Sequence, residues 1–208
     1  MGSTARKIEN YTIHEYQKLP EAERLEIIDG TTYDMSPSPT VKHQIIAGHF
    51  FGIARDCFRG KECKPFIAPM DVVLDDINVV QPDVFIVCDR SKITEANIKG
   101  APDLIIEVLS PATSLKDRRE KKRIYQDHGV REYIIVSPTD ETTERFTLVD
   151  GSYGGADIFG WHDSFASRIF PELIFNMRVI FEKENVEYVA DPNVPEWLKE
   201  ELKRSGVL

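Results

Sequence analysis

DLIIEVLSPATSLKDRREKKRIYQDHGVREYIIV, residues 103–136, holds a strand, a turn, a helix and a second strand in direct succession. Asp103 to Leu109 is almost wholly apolar and lacks polar alternation, so the spacing predicts a strand covered on both faces. Ser110-Pro111-Ala112-Thr113-Ser114 is turn chemistry, and a helix follows from about Leu115 to His128. Gly129 suits the left-handed position that closes such a helix, and Glu132 to Val136 is another buried strand. A strand, helix and strand in this order predict a right-handed crossover between parallel strands.

Working outward, Val79–Val87 and Phe66–Leu74 read as two further strands joined by an Asp75-Asp76-Ile77-Asn78 turn, and Ile93–Gly100 as a loop or short helix. Apolar residues at 41, 45, 46, 50, 53, 54 and 57 follow a helical period from Val41 to Phe58, preceded by a Ser36–Thr40 turn with a ready cap and ended by Gly60. Asp29-Gly30 between Leu25–Asp29 and Thr32–Met35 is a strong hairpin signal. Thr12 with Glu15 forms a capping box for a short helix from Ile13 towards Leu19, ended by Pro20. Arg145–Val149, a Gly-rich turn at 151–155 and Ile174–Glu182 continue in a β-rich way. The whole predicts an α/β fold with a mixed central sheet flanked by helices. One domain spans 1–190, and a tail at 191–208 carries a helix from Glu196 to Arg204 beyond Pro192 and Pro195.

With 208 residues, 41% hydrophobic and 29% charged, the chain has the composition of a soluble globular protein. No apolar run approaches the roughly 20 residues that span a bilayer, and Met1-Gly2-Ser3 does not begin a signal peptide. Cys57, Cys63 and Cys88 are odd in number and form no paired motif, so reduced thiols and a reducing cytoplasm are expected. A net charge of −9 counts against broad capture of nucleic acid. Lys116 to Arg123 nevertheless has six basic and two acidic residues, which read first as a solvated helix face and leave room for a local basic surface.

Chemistry enters with acids in apolar strands. Asp83 opens the run Val84-Phe85-Ile86-Val87, and Glu107 sits inside Leu104–Leu109. A carboxylate buried there costs several kcal/mol unless a cation or a proton neutralises it. Two such strands suggest one shared site. Magnesium takes hard oxygen ligands, keeps several waters, and suits two carboxylates plus a backbone carbonyl. In the helix, Asp117, Lys121, Ile124 and Tyr125 share one face, so Lys121 is the lysine that points to the sheet, with Asp117 able to hold it. Glu26, in Leu25-Glu26-Ile27-Ile28, is a third acid in an apolar run, and His43 lies in the first turn of the long helix.

Three stretches together resemble one family: LEIIDGTTYDMSPSPTVKHQII (25–46), QPDVFIV (81–87) and the 103–136 run. The proline-aspartate step followed by an acid in a second strand is similar to the PD-(D/E)xK nuclease superfamily, and within it the chain resembles the Uma-two group. That resemblance implies a restriction-endonuclease-like fold, a homodimer, and magnesium-dependent cleavage of nucleic-acid phosphodiesters, with Mn²⁺ as a possible substitute. It makes Asp83, Glu107 and the Val108 carbonyl the metal ligands and Glu26 an outer or second contact. His43, Gln81, Asp117 and Tyr125 are supporting residues. The superfamily lysine usually stands two residues after the second acid, where this chain has Leu109. Lys121 takes its place from the helix, with Lys116 the other candidate. The implied activity is an endodeoxyribonuclease. The rivals are a non-catalytic module that binds DNA or protein through the 116–123 face, and a phosphodiesterase for small nucleotides.

Overall fold

Strand β8 (Leu104–Val108) and strand β9 (Glu132–Ser137) lie side by side and parallel, joined by a helical stretch, α3, over residues 114–127. The computed structural model describes residues 10–18, 25–35 and 38–183. Before β8, the chain forms α1 (Ile13–Tyr16), β1 (Leu25–Ile28), β2 (Thr31–Asp34), α2 (Val41–Cys57), β3 (Lys64–Ile67), β4 (Val72–Asp75), β5 (Asn78–Val80), β6 (Val84–Val87) and β7 (Ile98–Lys99). After β9 come β10 (Thr142–Val149), β11 (Ser152–Tyr153), β12 (Asp157–Gly160), β13 (Ser164–Ala166), β14 (Ile174–Asn176) and a short helix, α4 (Met177–Ile180).

These strands build a main sheet in the order β11-β10-β9-β8-β6-β3, with β12 also on β10, and a smaller sheet in the order β2-β1-β5-β4-β7. The expected mixed sheet is present: β8 is parallel to β9 and antiparallel to β6. Alternation along the strands divides the core into two layers. Leu104, Ile106, Val108, Val84 and Ile86 face α2 through Ile46, Phe50 and Ala54. Ile105, Phe85, Val87 and Ile135 face the other way, towards α3 through Ile124 and Tyr125 and towards the small sheet through Ile28, Val72 and Ile98. The central strands are therefore buried on both faces, as their apolar runs require.

Local signals hold at several points. Thr12 N–H donates to Glu15 Oε2 at 2.9 Å in the capping box, and Thr40 accepts from His43 N–H at 3.3 Å to cap α2. Asp29 and Gly30 take φ of 50° and 68° in the β1–β2 turn, the sign that tight hairpins need. Other expectations need correction. Phe66–Leu74 is two strands in different sheets, because Pro69 has no N–H for a ladder, and Val79–Val87 divides likewise at Gln81-Pro82-Asp83. Ile93–Gly100 supplies the short strand β7, and Ile174–Glu182 turns from strand to helix at Met177. Leu19, Pro20 and the tail helix lie outside the described residues.

The cysteines are a further correction. Cys63 and Cys88 are joined in a disulfide, and Cys57 is free. Their positions flank the β3–β6 ladder, where Lys64 pairs with Val87, so the next residues outward meet across it. An odd cysteine count concealed that neighbourhood. Among the described residues no helix is long and apolar enough to cross a membrane.

Candidate active site

Asp83 and Glu107 are delivered to one place by strand register. In the β6–β8 ladder Val84 pairs with Ile106, and one further step sets Asp83 opposite Glu107. Directly opposed residues share a face, with Cβ atoms roughly 5 Å apart. Asp83 Oδ2 accepts from the Val108 N–H at 2.8 Å and lies 3.2 Å from His43 Nε2. The capped first turn of α2 thus holds the imidazole against this carboxylate.

Lys121 stands over the pair. Its Nζ donates to Glu107 Oε1 at 2.9 Å and reaches Glu26 Oε1 at 2.7 Å and Asp117 Oδ1 at 3.8 Å. Tyr125 OH donates to the same Glu107 oxygen at 2.8 Å, and Tyr133 OH donates to the Asp117 carbonyl at 3.0 Å. Glu26 comes from the small sheet. Its two oxygens accept from Lys121, from Lys116 Nζ at 2.6 Å and from the Gln81 N–H at 3.1 Å. The Gln81 side chain anchors the same corner by donating to Asp71 Oδ1 at 2.8 Å. Every candidate residue named from the sequence therefore falls in one connected neighbourhood, and Lys116 and Lys121 both bond Glu26.

A turn of π-helix explains the double use. Residues Asp117–Lys121 form that turn inside α3. In a regular α-helix, positions five apart point about 140° away from each other, so Lys116 and Lys121 would face different ways. The i to i+5 bonding of a π turn brings them together, and both reach Glu26. Side-chain spacing in the sequence gives no sign of this change in period. The same turn takes Asp117 and Lys121 inward, while Arg118 pairs with Glu144, Arg123 with Asp29, and Lys122 Nζ sits 3.7 Å from the Phe146 ring centre. The basic run is thus divided among inner and outer partners and does not form a single basic face.

Electrostatics follow from burial. Glu26, Glu107, Asp117 and Lys121 are 1–4% exposed. Burial raises the Glu107 carboxyl above its usual range, and Asp83, Asp117 and Glu26 add to the rise against the pull of Lys121. Burial works on Glu26 too, but Lys121 and Lys116 outweigh it and hold that carboxyl down. Burial opposes charge on Lys121, yet Glu107, Glu26 and Asp117 keep its ammonium well above the ordinary value. His43 is also raised, because its bond to Asp83 and that residue's charge exceed the effect of burial.

Four carboxylates here face two ammoniums. Carboxyl oxygens gathered in this way suit a hard divalent cation, whose charge would favour their ionised forms. Among the described residues no group of three or more His, Cys, Asp and Glu is arranged to hold a metal. A cation at this place would take two carboxylates and complete its shell largely with water, the habit of magnesium.

The chain is similar to known proteins. The family described as "Uma2: Putative restriction endonuclease" matches residues 13–178. A crystal structure titled as a putative nuclease belonging to DUF820, from Anabaena variabilis, superposes with a TM-score of 0.69 at 22% identity, covering 82% of this chain and 97% of that one. At that identity the likeness carries the fold alone. The uncharacterized protein slr1290 of Synechocystis sp. is 27% identical over 121 residues, 57% of this chain, and the match spans 63% of that relative's length.

Proposed function

We propose, from the premise that this chain belongs to the Uma2 family, that it is a metal-dependent endonuclease hydrolysing phosphodiester bonds, with DNA as substrate. One observation carries the reading: Asp83 and Glu107 lie opposite each other across two central strands, beneath a buried lysine shared by three acids. Asp83, Glu107 and the Val108 carbonyl would hold magnesium, with manganese as a substitute. When bound, the ion acidifies a coordinated water and screens phosphate charge.

The chain's own residues supply the remaining functions. Tyr125 and Lys121 fix one oxygen of Glu107 and leave its other oxygen without a bond from either. His43 and the Val108 N–H fix Asp83. Lys121 remains an ammonium, and its charge favours the negative charge that develops on phosphate oxygens. Lys116, at 14% side-chain exposure against 5% for Lys121, is the lysine nearer to solvent and meets the phosphate first. Glu26 orients both lysines.

A second reading has a specific observation in its favour. Glu107 and Lys121 are almost fully buried and the chain carries −9, which suits a small nucleotide or a flexible single strand better than a rigid duplex. Plasmid, single-stranded DNA, RNA and a dinucleotide, each incubated with Mg²⁺ and with Mn²⁺, separate the cases. Cleavage of DNA is expected. Hydrolysis of the dinucleotide alone establishes the phosphodiesterase, and no hydrolysis of any substrate by folded protein overturns both readings.

A further inference from the structure

A cavity with two arginines in its lining lies on the opposite face of the main sheet. Arg145 pairs with Ile134, whereas Glu107 pairs with Ile135. Ile134 and Ile135 are consecutive in β9 and point to opposite sides. The cavity has a volume of about 470 Å³, within the range of small-ligand sites, and its lining includes Arg145, Arg168, Thr147, Ser152, Asp157 and the Gly154-Gly155 turn.

The two arginines are held differently. Arg145 is 4% exposed, and its guanidinium lies 5.1 and 5.4 Å from the ring centres of Phe159 and Phe165. It donates to Asp157 Oδ2 through Nη2 at 2.5 Å and Nε at 3.2 Å, and to the Ala166 carbonyl through Nη1 at 2.5 Å. Arg168 is 61% exposed at its side chain, and its Nη2 is 3.5 Å from that same Oδ2. One carboxylate therefore serves two guanidiniums, one fixed and one loosely held. Glu132, opposite Thr147, has its Oε2 occupied by the Ser167 hydroxyl and two backbone N–H groups, so that oxygen is turned to its own donors.

We infer that this cavity binds the phosphate group of a small phosphorylated molecule of nucleotide size, with Arg145 as the fixed half of a clamp and Arg168 as the half that turns inward. Planar guanidiniums match phosphate oxygens in pairs, and the Thr147 hydroxyl supplies a further donor. The inference does not rest on the nuclease reading, since none of these residues belongs to the acid cluster.

The test is calorimetric titration with adenosine monophosphate, inorganic phosphate and adenosine, in EDTA so that divalent cations are excluded. The monophosphate and phosphate bind saturably and adenosine does not. Arg168→Ala, a change at an exposed position, weakens binding by about tenfold or more, the worth of one charge-assisted bond, with an unchanged circular dichroism spectrum. Glu107→Gln leaves it intact. Absence of saturable binding, equal binding by Arg168→Ala, equal binding of adenosine, or loss of binding in Glu107→Gln would each overturn the assignment.

Discussion

Lys121 is the residue on which the site's charge balance turns. Glu26 and Glu107 both bond its ammonium within 3 Å, so removing it leaves buried acids uncompensated. Breaking such a buried group costs about 3–5 kcal/mol. Lys121→Met should lower the urea midpoint accordingly and abolish cleavage, and an unaltered midpoint would show that the shared ion pair does not exist. Lys116→Ala should cost less, about 1–2 kcal/mol, because Glu26 keeps Lys121 and the Gln81 N–H, while the KM for nucleic acid rises. Glu107→Ala should abolish magnesium-dependent hydrolysis, and full activity in that variant would remove Glu107 from the chemistry. At this scale much was legible. Acids in apolar strands are anomalous, and Lys121 followed from the face it shares with Tyr125. The joint use of Lys116 was not, because the π turn follows from the packed helix and leaves no mark in residue spacing.

Elements place these residues, and their caps and straps can be tested separately. Thr40 caps α2 by accepting the His43 N–H. Thr40→Ala should cost about 1 kcal/mol of stability and also loosen the imidazole held at Asp83, so activity should fall further than stability alone explains. At the other end of α3, His128 bridges the Ile124 carbonyl at 2.7 Å and Asp75 Oδ2 at 2.8 Å, tying the helix to the β4–β5 turn. Burial favours a higher value for Asp75, yet the Ile77 N–H, Asn78 and His128 hold its carboxyl below the ordinary range. A depressed carboxylate contributes stability above its unfolded value of about 3.9, and that contribution is lost as pH falls through the lower folded value. Asp75→Asn should therefore flatten the acid limb of the stability curve measured by thermal unfolding, and an unchanged limb would exclude the strap. Strand ends were the least legible elements. Pro69 and Pro82 interrupt two apolar runs, and composition alone did not show that each run divides between two sheets.

The whole molecule brings the site together from two sheets and a helix: Glu26 from the small sheet, Asp83 and Glu107 from the main one, both lysines from α3. On the proposed function, docking of the small sheet is thus a condition of chemistry as well as of stability. The 103–136 crossover was readable because its apolar runs, turn and closing glycine agree with one another. The Cys63–Cys88 bond was not, since residues 25 apart meet only after β3 pairs with β6. Closing a loop of that size contributes about 3 kcal/mol, so reduction should lower the denaturation midpoint, and identical midpoints with and without reductant would exclude the bond in solution. The acid pair itself is tested most directly by titrating Mn²⁺ calorimetrically into wild-type protein and into folded Asp83→Asn. One saturable site in the wild type that disappears in the variant is the predicted result. Equal binding by both proteins, or none by either, would contradict a metal held between Asp83 and Glu107.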